Sequence, residues 1–248
     1  FWAAVARAGE FSPSEHLWYK QPAGVPNTAL PWTVTPHVTG NLPSKKNKDT
    51  WESQTLPIGN GRVGGTVYGG DRLDCVVLNE VSLWTGGANA NKNGEEYKYG
   101  PKSGVGEFGS YQPFANLYAA YEYAGSPVDY ARSLDLRKAE AVTEFAANGV
   151  KFRRSCFVSR PDDVMVYTAE ADKPGAITAN LALAPYHNVT YRKEGNDTII
   201  MRGTLANGEQ FEGRMKVVTK GGSMELIFPN SKLEVVYAGR GDAVHPVV

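Results

Sequence analysis

Leu56-Pro57-Ile58-Gly59-Asn60-Gly61-Arg62-Val63-Gly64-Gly65 is followed by Leu78-Asn79-Glu80 and then by Leu83-Trp84-Thr85-Gly86. Gly59, Gly61 and Gly64 fit the spacing of a phosphate-binding loop, and Glu80 stands where a ribose-binding acid would be sought. The surroundings exclude that reading. Pro57 breaks the strand a dinucleotide fold needs before the glycines, because proline donates no ladder hydrogen bond. Gly69-Gly70 breaks the helix that should follow. The stretch therefore reads as sharp turns joining short strands, with polar and aromatic side chains held just beyond them.

Working outward, turn signals and alternation repeat along the chain. Gly70-Asp71 separates a strand pair over 64–69 and 73–78. Asn148-Gly149, a strong short hairpin signal, lies between strands expected over 141–147 and 150–157. Further strands are expected over 16–19, 117–123, 164–169, 177–183, 198–202, 211–219, 224–228 and 233–238. Ile177, Ala179, Leu181 and Leu183 share one face. Phe211, Met215 and Val217 oppose Glu212, Arg214 and Lys216. One helical turn is expected near 129–133. Residues 86–109, rich in Asn and Gly, read as a long surface loop. The expectation is an all-β fold, a large antiparallel two-sheet sandwich over 51–248. Residues 1–50, punctuated by proline, read as an extended segment packing on it.

Composition narrows the function. The 248 residues carry 26 Lys plus Arg against 26 Asp plus Glu, so no net charge steers the chain to nucleic acid or to an anionic membrane. No apolar run is long enough to span a bilayer. Cys75 and Cys156 both sit in apolar strand contexts, where cysteine packs as a small hydrophobe, and a disulfide between them has no support. Phe1-Trp2-Ala3-Ala4-Val5-Ala6 is too short to read as a signal peptide. Asn188-Val189-Thr190 and Asn196-Asp197-Thr198 fit the glycosylation pattern, and Arg240-Gly241-Asp242 reads as a chance tripeptide in a loop. His16, His37, His187 and His245 have no metal-ligand spacing, so no metal and no cofactor are expected.

The quoted words resemble, in the same order, the N-terminal domain of glycoside hydrolase family 95, the inverting α-L-fucosidases. Tyr111-Gln112-Pro113, Leu134 to Ala139, Asn148-Gly149-Val150, Arg154, Phe157, Ser159 and Pro161-Asp162 extend the resemblance from about Leu17 to the C-terminus. Two features depart from it: the Asn/Gly loop stands where the family usually has a helix, and Ala115-Asn116 stands where it favours Gly-Asp. The resemblance implies a β-sandwich followed by a C-terminal α/α barrel that holds the catalytic acid and the water-activating groups. It implies an oligosaccharide substrate and an extracellular or periplasmic location. No carboxylate here matches the family's catalytic positions, and no catalytic residue is assigned.

The candidate site residues are Arg62, Asn79, Glu80 and Trp84, at a substrate rim or a domain interface. Trp84 reads either as a ring stacking on sugar or lining the barrel, or as a core anchor for its turn. Asn79 and Glu80 read as sugar or domain ligands, or as turn stabilisers. Arg62 is expected to fork onto a carboxylate such as Glu80. Three functions follow: the non-catalytic front domain of a fucosidase-like hydrolase, an independent carbohydrate-binding module, or the sandwich of a disaccharide phosphorylase.

Overall fold

A computed structural model describes residues 15–24, 50–85, 111–225, 235–241 and 243–247. Within them the chain forms two antiparallel sheets, a nine-stranded sheet and a six-stranded sheet. The larger has the spatial order β1 (His16–Tyr19), β6 (Val128–Asp135), β7 (Glu140–Ala147), β8 (Val150–Ser159), β9 (Val164–Ala171), β15 (Ala243–Val247), β13 (Gln210–Lys220), β12 (Thr198–Thr204) and β11 (Val189–Glu194). The smaller runs β14 (Val235–Gly241), β10 (Ile177–Pro185), β5 (Ala115–Glu122), β4 (Leu73–Glu80), β3 (Val63–Val67) and β2 (Leu56–Gly59). One five-residue helix, α1 (Thr50–Gln54), precedes β2.

Alternation builds the space between the sheets. Ile177, Ala179, Leu181 and Leu183 of β10 are all buried, and so are Met215 and Val217 of β13, while Glu212, Arg214 and Lys216 point outward. The inner faces meet in one core of Leu117, Tyr121, Met165, Tyr167, Ile199, Met201 and their neighbours. The outer face of the six-stranded sheet is apolar as well: Tyr68, Leu73, Cys75, Tyr118 and Ala120 cluster there under Ala23. Cys75, on the outer face of the six-stranded sheet, and Cys156, on β8 in the core between the sheets, are both free, and burial pushes both thiols up.

The Asn148-Gly149 hairpin forms as expected, with both residues at positive φ. The helical turn expected near 129–133 is instead part of β6. Asp129 takes a φ of 54° beside a register shift against β7, so a bulge absorbs the residue that disturbs the strand pattern. Besides β6, the strands not individually foreseen are β11, which begins at Val189 within the glycosylation pattern, β15, and β2, which contains Pro57 and lies at the edge of its sheet, where a proline is tolerated. The strand expected over 233–238 appears as β14 at 235–241, so Arg240 and Gly241 lie in a strand. Residues 224 and 225 are outside any strand, and the rest of the segment expected over 224–228 lies outside the described residues. The 86–109 loop also lies outside them. Residues 15–24 of the leading segment join the sandwich: β1 pairs with β6, and Arg132 Nε donates to Gln21 O at 2.9 Å. No described helix is long and apolar enough to cross a membrane.

Two of the glycines at positive φ sit in different surroundings. Gly61, at φ 97°, closes the β2–β3 turn and faces open space; Gly69, at φ 68°, begins the β3–β4 turn. A Cβ on Gly69 would lie 2.8 Å from Thr143 Oγ1 and 3.0 Å from Arg132 Cδ. Gly61→Ala is therefore expected to cost about 1–2 kcal/mol of backbone strain. Gly69→Ala is expected to cost clearly more, since strain and overlap add. Urea unfolding of both variants reads the difference; equal losses would contradict the packing account of the β3–β4 turn.

Candidate functional site

Antiparallel order sends the quoted turns to one end of the sandwich. The β2–β3 turn, the end of β4, the β8–β9 turn and the start of β13 meet there around a cleft of about 460 Å³. Arg62, Asn79, Glu80, Asp163, Phe211 and Arg214 are among its lining residues.

The β2–β3 turn is set by Asn60. Its Oδ1 accepts from Arg62 N and Val63 N, both at 2.9 Å, which is the local side-chain turn that asparagine favours. Its Nδ2 donates to Ser159 O at 2.9 Å and Asp163 Oδ1 at 2.8 Å. One amide thus fixes the turn and ties it to the β8–β9 hairpin of the opposite sheet. Arg62 does fork, as expected, but onto two acids: Glu80 Oε1 is 3.2 Å from Nε, and Asp163 Oδ2 is 3.6 Å from Nη1.

Glu80 is held by its own turn as well. Ser82 N and Ser82 Oγ donate to Oε2 at 2.8 and 2.5 Å. Partial burial pushes the carboxyl up, but the Ser82 hydrogen bonds and the Arg62 guanidinium outweigh it and hold the group below its usual range. Glu212 is also held down, by Arg202 and Arg214.

Trp84 lies outside the core. It is 48% exposed, its Nε1 donates to Val81 O at 2.9 Å, and its ring meets Tyr111 edge to face at 5.6 Å. Leu83, 4% exposed, is the anchor of that turn. Asn207 Nδ2 donates to Trp84 O at 3.1 Å, joining the β12–β13 turn to the same corner. Asn79 alternates outward between Leu78 and Glu80 and borders the cleft. The structure thus brings all four predicted residues to one end of the molecule. It adds Asn60, Ser82, Tyr111 and Asp163. Asn60 and Tyr111 were inside the quoted words. Asp163 carries no local signal, since its partner Arg62 is a hundred residues away in sequence.

Among the described residues no group of His, Cys, Asp and Glu could hold a metal ion. In the cleft, the two carboxylates with shifted affinity for protons, Glu80 and Glu212, are both held ionised. That suits fixed charge and hydrogen-bond acceptance, whereas a general acid needs a raised pKa.

Residues 17–103 and 91–245 match the model of the glycosyl hydrolase family 65 N-terminal domain, and the chain belongs to that family. It is similar to "Alpha-L-fucosidase 2" of Arabidopsis thaliana, 27% identical over 179 residues, covering 61% of this chain and 21% of that protein. It is also similar to "Probable alpha-fucosidase A" of Aspergillus niger, 29% identical over 163 residues, covering 56% of this chain and 20% of that protein. Among solved structures, "Putative kojibiose phosphorylase from human microbiome" aligns with a TM-score of 0.48 and 15% identity, over 79% of this chain and 30% of that one. The fucosidase resemblance of the sequence is borne out by these relatives, under a family model numbered 65. The matched part spans about one fifth of the length of either fucosidase.

Glu80 supplies a pH-dependent test. Its folded pKa is depressed, so its stabilisation is present above the unfolded pKa and is lost as pH falls through the folded value. Glu80→Gln is expected to lower stability at pH 7 by about 1 kcal/mol or less, because Arg62 is well exposed. The gap to the parent protein should close as pH falls below the carboxylate range. Thermal unfolding across that range checks it; a gap that is constant with pH would mean that the Glu80 charge plays no part.

Proposed function

We propose that the chain is the non-catalytic N-terminal sandwich of a longer glycoside hydrolase. That enzyme hydrolyses terminal α-L-fucosides, or closely related sugars, with inversion in a following α/α barrel. The sandwich end bearing Arg62, Asn79, Glu80 and Trp84 faces the barrel beside the active-site rim. The reading carries with it an oligosaccharide substrate and an extracellular or periplasmic location.

The observation that carries the proposal is the similarity to two fucosidases that are about five times longer than the matched region. The geometry of the end supports it. Val81, Trp84 and Tyr111 stand about half exposed on a turn whose polar groups are already bonded. A rigid, pre-satisfied turn with an apolar crest suits contact with a neighbouring domain, since little ordering remains to be done on docking.

Two measurements test it. The isolated chain should release no nitrophenol from an aryl α-L-fucoside, while the full-length protein should. Turnover by the isolated chain that disappears on changing one of its own carboxylates would overturn the reading. Trp84→Ala should cost the isolated chain well under the roughly 3 kcal/mol typical of deleting a core aromatic. In the full-length protein the same change should lower kcat/KM or loosen domain association; a loss of 3 kcal/mol or more in the isolated chain would make Trp84 a core residue and remove the interface role.

A further inference from the structure

A second concavity, of about 500 Å³, lies on the outer face of the six-stranded sheet. That is within the roughly 300–1,000 Å³ range of small-molecule sites. Its floor is made by register neighbours: Val77 of β4 pairs with Asn116 of β5, and Cys75 with Tyr118. Its walls are Trp51, Tyr111 and Tyr186, which are 44, 41 and 50% exposed.

Two of these rings, Trp51 and Tyr186, are held by their polar edges. Trp51 Nε1 donates to Thr66 Oγ1 at 2.9 Å, and Thr66 pairs with Val77 across β3 and β4. The Tyr186 hydroxyl donates to Asn116 Oδ1 at 3.0 Å, and Asn116 Nδ2 donates to the Tyr118 hydroxyl at 3.2 Å. The polar edges of Trp51 and Tyr186 are thus occupied by the sheet. The Asn79 amide lines the same concavity, and among the described residues it has no hydrogen-bond partner. None of the described lining residues is charged.

Aromatic rings fixed at their edges, the open Asn79 amide and described lining residues without charge define a ligand chemistry. A pyranose ring has an apolar face of C–H bonds that stacks on aromatic rings, and an edge of hydroxyls that pairs with amides. Among the described lining residues a phosphate or carboxylate would find no cation. We infer that this outer face is a binding site for a pyranose unit of a neutral oligosaccharide. Asn79 and Tyr111 border both this concavity and the sandwich end, so a bound oligosaccharide can run from the outer face toward the cleft. The inference does not rest on the fucosidase reading, since it concerns binding by this chain alone.

The test titrates the 248-residue chain with L-fucose, fucosyllactose and maltose, by calorimetry and by saturation-transfer NMR. At least one sugar should bind saturably, with a Kd in about the millimolar range, and the affinity should not change with salt, as none of the described lining residues is charged. Trp51→Ala and Tyr186→Ala should each weaken binding about tenfold while keeping a cooperative thermal transition. Trp18→Ala, on the exposed edge strand β1, should bind as the parent does. Absence of saturable binding by every sugar would overturn the proposal. So would binding that survives both aromatic changes but is lost with Arg62→Ala. Shielding of Trp51 from a collisional quencher in the full-length protein, with sugar binding absent there, would identify the face as a domain contact and overturn it equally. Hydrolysis by the full-length enzyme is scored separately, so the two readings fail independently.

Discussion

Arg154 is the group on which the alignment of the two sheets depends. It rises from β8 of the nine-stranded sheet, is 3% exposed, and donates to the carbonyls of Gly70 and Asp71 in the β3–β4 turn of the six-stranded sheet. Its guanidinium lies 3.6 Å from the centre of the Tyr121 ring on β5. Beneath it, Tyr121 donates to Tyr167 at 3.1 Å, and Tyr167 donates to Asp74 at 2.8 Å. The other oxygen of Asp74 accepts from Gly70 N and Cys75 N. Burial pushes Asp74 up, and the Arg154 charge with these hydrogen bonds pulls it back. Burial likewise pushes the Tyr121 hydroxyl up to about 12, keeping it a neutral donor.

Such a network has one good geometry. Apolar side chains tolerate sliding of one sheet over the other, because dispersion is not directional. A buried guanidinium does not, since each donor it loses is left unsatisfied in a medium that cannot replace it. The two carbonyls of a single turn therefore fix where β3 and β4 sit over β8. Gly69 is part of the same device: the turn passes so close to Thr143 and Arg132 that an added Cβ would overlap them.

The far end inherits its precision from this alignment. β3 and β4 run from the Arg154 turn to Arg62 and Glu80, and β8 runs in parallel space to Ser159. Asn60 can bridge to Ser159 O and Asp163 only because the sheets are already placed. The sheet that positions the cleft also presents Val77, Asn79 and Asn116 on its outer face. One strand, β4, thus serves the core through Val76 and Leu78 and the outer concavity through Val77 and Asn79. A two-residue period separates these duties without any change of backbone.

What the sequence alone determined is local. Period-two alternation in β10 and β13, the Asn148-Gly149 turn and the glycines after Pro57 depend on neighbours within a few residues, and each was legible. The Arg62–Glu80 pair was legible too, because a hairpin brings its ends together. The register of distant segments was not. Asp163 meets Arg62, and Arg154 meets the Gly70 turn, through pairings across the sandwich that no local pattern encodes. Asp129 looked like the start of a helical turn because a bulge disturbs alternation as a turn does. The sheets that β14 and β15 join were hidden as well: β14 completes an edge of the six-stranded sheet while β15 lies between β9 and β13 in the nine-stranded one, and only the packing of both sheets decides this.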